Sequence, residues 1–381
     1  YLNLIIKQVK YMQVLHIITG LKKGGAETIL CNLCQYDKEF NHTIISLSNT
    51  PDLEASFIKL NIPVFSLNFP DGKIKISGVL KLYRLIKKIN PDIVQTWMIH
   101  ADLIGGLTAR LIGIKNIFWG VHHTVLIYGK VKWSTIFILK INTLLSYFIP
   151  KKIIYCAEKS RSAQESIGFN KSKGAVIQNG YDIKKFYRNT DLGIDFRNEL
   201  KISDDTFVIG HVGSYDPLKD QNTLIEAFDI LNKQKFKFIA VLVGKNLDND
   251  NNDLVTKIEE KGLSSSIHLL GMRNDIPAVM NGIDLFILSS ISEAFPNVLN
   301  ESMACGTPCI TTDVGDASLI VKNTGWIVPP KNPKLIVDAV IEAEDELRSR
   351  TISWLKRKDD CHERIIENFS LKKMTQKLYI K

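Results

Sequence analysis

The stretch Ser289-Ser290-Ile291-Ser292-Glu293-Ala294-Phe295-Pro296-Asn297-Val298-Leu299-Asn300-Glu301-Ser302-Met303-Ala304-Cys305-Gly306-Thr307-Pro308 sets two carboxylates, Glu293 and Glu301, around a helix start. The apolar run Leu285–Leu288 before it reads as a strand ending in small polar residues. Pro296 marks the first helical turn, where a missing N–H costs nothing. Glu293 then stands at the strand-to-helix crevice, and Glu301 about two turns further on. The first carboxylate reaches a sugar hydroxyl and the second a ribose, while free backbone N–H groups near Phe295 and Asn297 face a diphosphate. The competing reading is a carboxylate favoured by the helix dipole and a second one facing solvent.

Two glycine loops accompany this stretch. Gly24-Gly25-Ala26-Glu27 follows the first strand and opens a helix. Glycine lets a backbone approach a ligand closely, and a helix N-terminus favours an anion. The G-x-G-x-x-G nicotinamide fingerprint is absent. Gly213-Ser214-Tyr215-Asp216-Pro217-Leu218-Lys219-Asp220 follows another strand, and Lys219 is a point charge suited to phosphate or, more blandly, a surface lysine. Asp248-Asn249-Asp250 matches a metal-type D-x-D, but it lies in a polar stretch with Asp253 where a calcium loop needs glycine, so it reads as a solvated loop.

Positioning these groups requires strands with open carboxyl ends. Short apolar runs alternate with helical patterns along the chain: Val14–Thr19, His42–Leu47, Val64–Leu67, Ile93–Thr96, Ile117–Val121, Lys152–Cys156 and Ala175–Gln178, then Phe207–Val212, Phe238–Val243, Ile267–Leu270, Leu285–Leu288, Cys309–Thr312 and Gly325–Val328. This pattern predicts an α/β protein of two Rossmann-like, doubly wound parallel-sheet domains facing a central cleft. The expected division is 1–185, 186–355, and helices over 356–381 that pack back on the first domain.

Of the 381 residues 45% are apolar and 23% charged, which excludes a disordered chain. The net charge of +9 is uneven: residues 1–200 hold 27 Lys/Arg against 14 Asp/Glu, and residues 201–350 hold 14 against 22. A basic half favours nucleic acid, an anionic membrane or an anionic substrate, or is a solvated lysine-rich surface. The absence of a basic–aromatic module argues against nucleic acid. Six cysteines are too few for a disulfide scaffold and point to a reducing, cytoplasmic setting. Cys31 and Cys34 fall in an apolar helical pattern and read as buried hydrophobes, with no zinc expected. Residues 1–11 carry no secretory pattern and read as an extraneous extension. The segment Trp133–Pro150 is apolar but interrupted by Lys140 and Asn142, and reads as a buried helix, an interfacial helix or a span.

Taken together, the sequence resembles a retaining glycosyltransferase of family 4, with the GT-B fold, of the bacterial cell-surface polysaccharide type. The likeness runs from Val14 to about Tyr379 and rests on E-x7-E (Glu293, Glu301), Phe295-Pro296-Asn297-Val298, Met303-Ala304-Cys305-Gly306-Thr307-Pro308, Gly24-Gly25-Ala26-Glu27, Asn179-Gly180 with Asp182 and Phe186, and Gln95-Thr96-Trp97 through Gly105-Gly106. It implies that Glu293 binds donor-sugar hydroxyls, Glu301 the ribose, Lys219 the diphosphate, and Gly25 lets its loop approach that diphosphate. His122 or His123 would match the histidine near the reacting carbon, His123 being favoured. Where the family often carries Arg after the glycine matched by Gly213, this chain has Ser214, so Arg273 or Lys245 would supply the second cation. The implied activity moves a sugar from a nucleotide-diphosphate-sugar, a UDP-sugar by expectation, to a saccharide or polyprenyl-pyrophosphate-linked acceptor at an anionic membrane surface. No cofactor or metal is expected. The rivals are a sugar-nucleotide epimerase or phosphorylase-like enzyme of the same fold, and a catalytically silent nucleotide-sugar-binding subunit.

Overall fold

The computed structural model describes residues 11–22, 24–50, 52–70, 75–122 and 133–378. The chain forms two compact units, residues 1–177 and 178–381. In the first, strands β1 (Met12–Ile18), β2 (Phe40–Ser48), β3 (Val64–Phe69), β4 (Ile93–Trp97), β5 (Ile117–Val121), β6 (Lys152–Tyr155) and β7 (Gly174–Val176) make one sheet in the order β3-β2-β1-β4-β5-β6-β7. In the second, β8 (Val208–Val212), β9 (Ile239–Val243), β10 (Ile267–Leu269), β11 (Leu285–Leu288), β12 (Cys309–Thr312) and β13 (Trp326–Val328) run β10-β9-β8-β11-β12-β13. Every pairing between these strands is parallel.

Parallel strands covered on both faces are buried along their length and largely apolar, and β4, β5, β11 and β12 are buried at every residue. Helices cover the sheets and complete apolar clusters, around Leu15, Ile17, Val94 and Trp119 in the first unit and Ile209, Leu242, Ile287 and Ile310 in the second. The strand order reverses between β1 and β4, and again between β8 and β11. In open α/β sheets ligands bind beyond the carboxyl ends of strands at such switch points. The loops after β1, β8 and β11 are those that carry Gly24-Gly25, Gly213–Asp220 and Ser289–Pro296. All thirteen predicted strands form among the described residues, with ends moved by one or two positions.

Two differences from the expected division stand out. The boundary falls after Ile177, because residues 179–181 are bound into the second unit: Tyr181 bridges Ser370 in parallel fashion and Gly180 lies against Leu371 and Met374. The segment expected to return to the first domain forms helices Thr351–Phe369 and Leu371–Lys377, counted with the second unit. The longer one packs on helices Asn297–Ala304 and Pro333–Ser349. Its amphipathic pattern shows which face is apolar but not which surface covers it.

Candidate active site

The second unit gathers its site from two loops. Gly213 N–H donates to Val243 O (2.9 Å) at the end of β8. Gly244, at φ +144°, lies so close that a Cβ there would sit 1.8 Å from Gly213 O, so only glycine fits. The loop then turns on Asp216, whose carboxylate accepts from Leu218 N–H (2.7 Å) and whose carbonyl accepts from Lys219 N–H (2.9 Å). Asp220 caps the helix Gln221–Lys233 by accepting from Thr223 N–H.

Gln221 holds this loop from behind. Its amide donates to Ser214 O (2.8 Å) and to His211 Nε2 (3.2 Å), while His211 Nδ1 donates to Ile287 O (3.0 Å) on β11. Burial lowers the His211 pKa to about 4, so the ring is neutral and this tautomer is the one the carbonyl requires.

Lys219 and Glu293 meet here: Lys219 Nζ lies 2.6 Å from Glu293 Oε1, and Ser290 Oγ donates to the same oxygen at 2.7 Å. Backbone stitches fix the two loops, Ser289 Oγ donating to Lys219 O (2.9 Å) and Ile291 N–H to Leu218 O (2.8 Å). On the other side, Asp316 N–H donates to Ala294 O (2.9 Å), and Gly315, at φ +52°, brings its backbone so near that a Cβ would lie 2.4 Å from Ala294 O. Phe295 is buried against Phe369 (centroids 5.6 Å apart). Pro296 stands just before the helix Asn297–Ala304 rather than inside its first turn, and Asn297 Oδ1 accepts from Asn179 Nδ2 (3.0 Å) and from the Tyr181 hydroxyl. Val298 and Glu301 follow on the same helix, both half-buried.

The expected second cations are placed differently. Arg273 pairs with both oxygens of Glu199 (2.7 and 2.8 Å) and with Asp275, lies over the Phe196 ring, and is held more basic than usual by those carboxylates. It is committed to a surface network. Lys245 is exposed, and its carbonyl accepts from Tyr215 N–H (2.8 Å), so its backbone borders the Gly213–Asp220 loop. Ser214 is exposed. Asp248–Asp250 forms a turn, Asp248 accepting from Asp250 N–H, just ahead of Asn251, which caps the helix Asn252–Glu260.

In the first unit, Gly24 is the extended residue before helix Gly25–Tyr36, and Gly25 is exposed at its first turn. Glu27 folds back on the turn: a Cβ on Gly24 would meet its Oε2 at 2.6 Å. Burial pushes the Glu27 carboxyl up. His122 follows β5 directly and stacks on Trp97 with ring centroids 4.8 Å apart and planes at 13°. His123 lies outside the described residues. Cys34 is buried and Cys31 half-buried, as read from the helical pattern.

Sequence reasoning did not single out Ser290, Gln221, His211 or Gly315. Gly315 meets the loop of Ala294 only through folding, whereas Ser290 lies three residues before Glu293 in the same loop. The one advance signal was position, since Gln221 flanks the motif it holds and Ser290 lies inside the stretch that carries Glu293.

Comparison with known proteins comes to the same stretches. The family model described as "Glycosyltransferase Family 4" matches residues 23–185, and "Glycosyl transferases group 1" matches 194–354. The Escherichia coli UDP-Gal:alpha-D-GlcNAc-diphosphoundecaprenol alpha-1,3-galactosyltransferase is 27% identical, over 97% of this chain and 95% of its own. The Staphylococcus aureus capsular polysaccharide biosynthesis glycosyltransferase CapM is 27% identical, over 86% and 81%. Among solved structures, Anabaena HepE in complex with UDP superposes with a TM-score of 0.84 at 21% identity, over 96% of this chain and 98% of that one.

Proposed function

Because the chain belongs to glycosyltransferase family 4 and has the GT-B fold, we propose that it transfers a hexosyl unit, with retention, from a UDP-sugar to a lipid-pyrophosphate-linked saccharide in surface-polysaccharide assembly. The observation that carries this reading is the Lys219–Glu293 pair, held by Ser290 at the switch point of the second sheet. A cation for the donor diphosphate and a carboxylate for its sugar hydroxyls stand side by side there.

In the reaction the anomeric C–O bond to phosphate breaks through an oxocarbenium-like state, and the acceptor oxygen bonds to the same face of the carbon. The acceptor's proton leaves with the diphosphate. Negative charge grows on that diphosphate, and Lys219 with the N–H groups of the helix Asn297–Ala304 answers it; such preorganised charge is usually the largest catalytic contribution. Glu293 accepts from sugar hydroxyls, Glu301 from the ribose, and Lys245 is the better placed second cation. Gly25 and His122 or His123 serve from the first unit. No metal or cofactor is needed in this reading.

The donor and acceptor classes are supported by the relatives. The E. coli enzyme is named for UDP-Gal and a diphosphoundecaprenol acceptor, and HepE has been solved with UDP and with UDP-glucose. A place at the inner face of an anionic membrane is supported by helix Trp133–Leu145 and the turn after it. Trp133 (84% exposed), Phe137, Lys140 and Leu144 recur at helical spacing along one exposed stripe, and Phe148 and Lys151 are exposed just beyond the helix. No helix among the described residues is long and apolar enough to cross a membrane.

The test is to screen nucleotide-sugars for thermal protection, then supply the stabilising one with a polyprenyl-diphosphate saccharide. Acceptor-dependent product that is lost in Glu293→Ala, with the fold intact, is expected. Turnover without acceptor would point instead to an epimerase, and donor binding without product to a silent subunit.

A further inference from the structure

Trp97 ends β4, and its indole N–H can only donate. It donates to His16 Nδ1 at 3.2 Å. His16 Nδ1 therefore carries the lone pair, and the proton of this neutral ring sits on Nε2. His16 Nε2 lies 3.0 Å from His42 Nδ1, which must then accept, leaving the His42 proton on Nε2, which makes no hydrogen bond and lies 3.7 Å from Asp37 Oδ2. Both donated N–H groups thus point the same way, from Trp97 to His16 and from His16 to His42. Burial keeps both imidazoles neutral, the His42 pKa falling to about 4. All four side chains are buried.

His122 stacks on the Trp97 ring and folds back over Gly120: a Cβ there would lie 3.4 Å from His122 Nε2. Met98, directly after Trp97, is held at φ 72°, ψ 163°, with its N–H donating to Gly120 O (3.0 Å). A non-glycine residue in that region is strained and persists only where its surroundings over-determine it.

We propose that His42, His16 and Trp97 form a positioning chain that fixes the indole plane on which His122 stacks, and so sets where β5 delivers His122. This rests on the glycosyltransferase reading, in which that strand end faces the reacting sugar. Cys34 lies close enough for His16, Cys34 and His42 to resemble a metal site, their ligand atoms within 4.8 Å of one another. The tautomers argue otherwise, because both nitrogens of His16 are already engaged.

The experiment compares Trp97→Phe, His16→Leu and His16→Asn in the full chain. His16→Leu is expected to lower kcat on the order of tenfold with donor KM nearly unchanged, a fraction of the ~100-fold that a 1 Å misplacement costs. His16→Asn, which restores an acceptor for the indole, is expected to recover most of that loss, and Trp97→Phe to match His16→Leu. By NMR, His16→Leu should move both the Trp97 indole N–H resonance and the ring-current-shifted His122 protons. A folded His16→Leu with unchanged kcat, or with His122 protons unmoved, overturns the proposal. So does stoichiometric zinc in the purified protein that is lost with Cys34→Ala. If no donor supports transfer, the functional reading fails, while the His122 shifts still decide the positioning chain.

Discussion

At the scale of single residues, the site is built from contacts that converge on one oxygen. Glu293 Oε1 receives both Lys219 Nζ and Ser290 Oγ. Ser290 is fully buried, so its hydroxyl serves the carboxylate and not solvent. Removing such a hydrogen bond to a charged group costs about 1.5–3 kcal/mol. Ser290→Ala is therefore expected to reduce kcat/KM for the donor by roughly 10–100-fold, less than Glu293→Ala, with thermal stability nearly unchanged. An unaltered kcat/KM would show that Lys219 alone orients Glu293. Glu293, Glu301 and Lys219 were legible in the sequence because their types and spacing state their chemistry. Arg273 was not: the two carboxylates that claim it, Glu199 and Asp275, lie on opposite sides in sequence, and only the fold brings Glu199 to it.

At the scale of elements, the strands were legible because a strand buried on both faces must be a short apolar run, and the helices because they fill the intervals. The stitching of loops was hidden. Ser289 reaches Lys219 across seventy positions, and Gly315 reaches Ala294 across twenty-one. Gly315 tests how far that stitching matters. An alanine there faces a left-handed backbone and a carbonyl 2.4 Å from its Cβ. The conformation alone costs about 1–2 kcal/mol, and the clash must push the Glu293 loop aside. Gly315→Ala is expected to lower Tm by several degrees and to weaken donor protection in the same thermal assay. Full donor protection in the variant would show that the loop tolerates the shift. The boundary at Ile177 and the packing of residues 351–377 were likewise unreadable, since an apolar stripe does not name its partner.

For the whole molecule, the buried histidines set an acid limit. His42 in the first unit and His211 in the second both have pKa values lowered by burial from 6.5 to about 4. Between those values the unfolded chain binds more protons than the folded one, so stability is complete above about pH 6.5 and falls as pH drops toward 4. Each histidine contributes a slope of about 1.4 kcal/mol per pH unit in that window. Urea unfolding at pH 7.5, 6 and 5 should show the decline, and His211→Gln should make it shallower; an equal slope in the variant would assign the acid sensitivity elsewhere. The bridge between Tyr181 and Ser370 carries a consequence for synthesis. That bridge fastens the second unit across 189 positions of sequence, and Phe369, beside it, is the partner of Phe295 in the donor loop. While the chain is still emerging from the ribosome, both sheets can assemble, yet the donor loop waits for a clasp translated after every strand of both sheets.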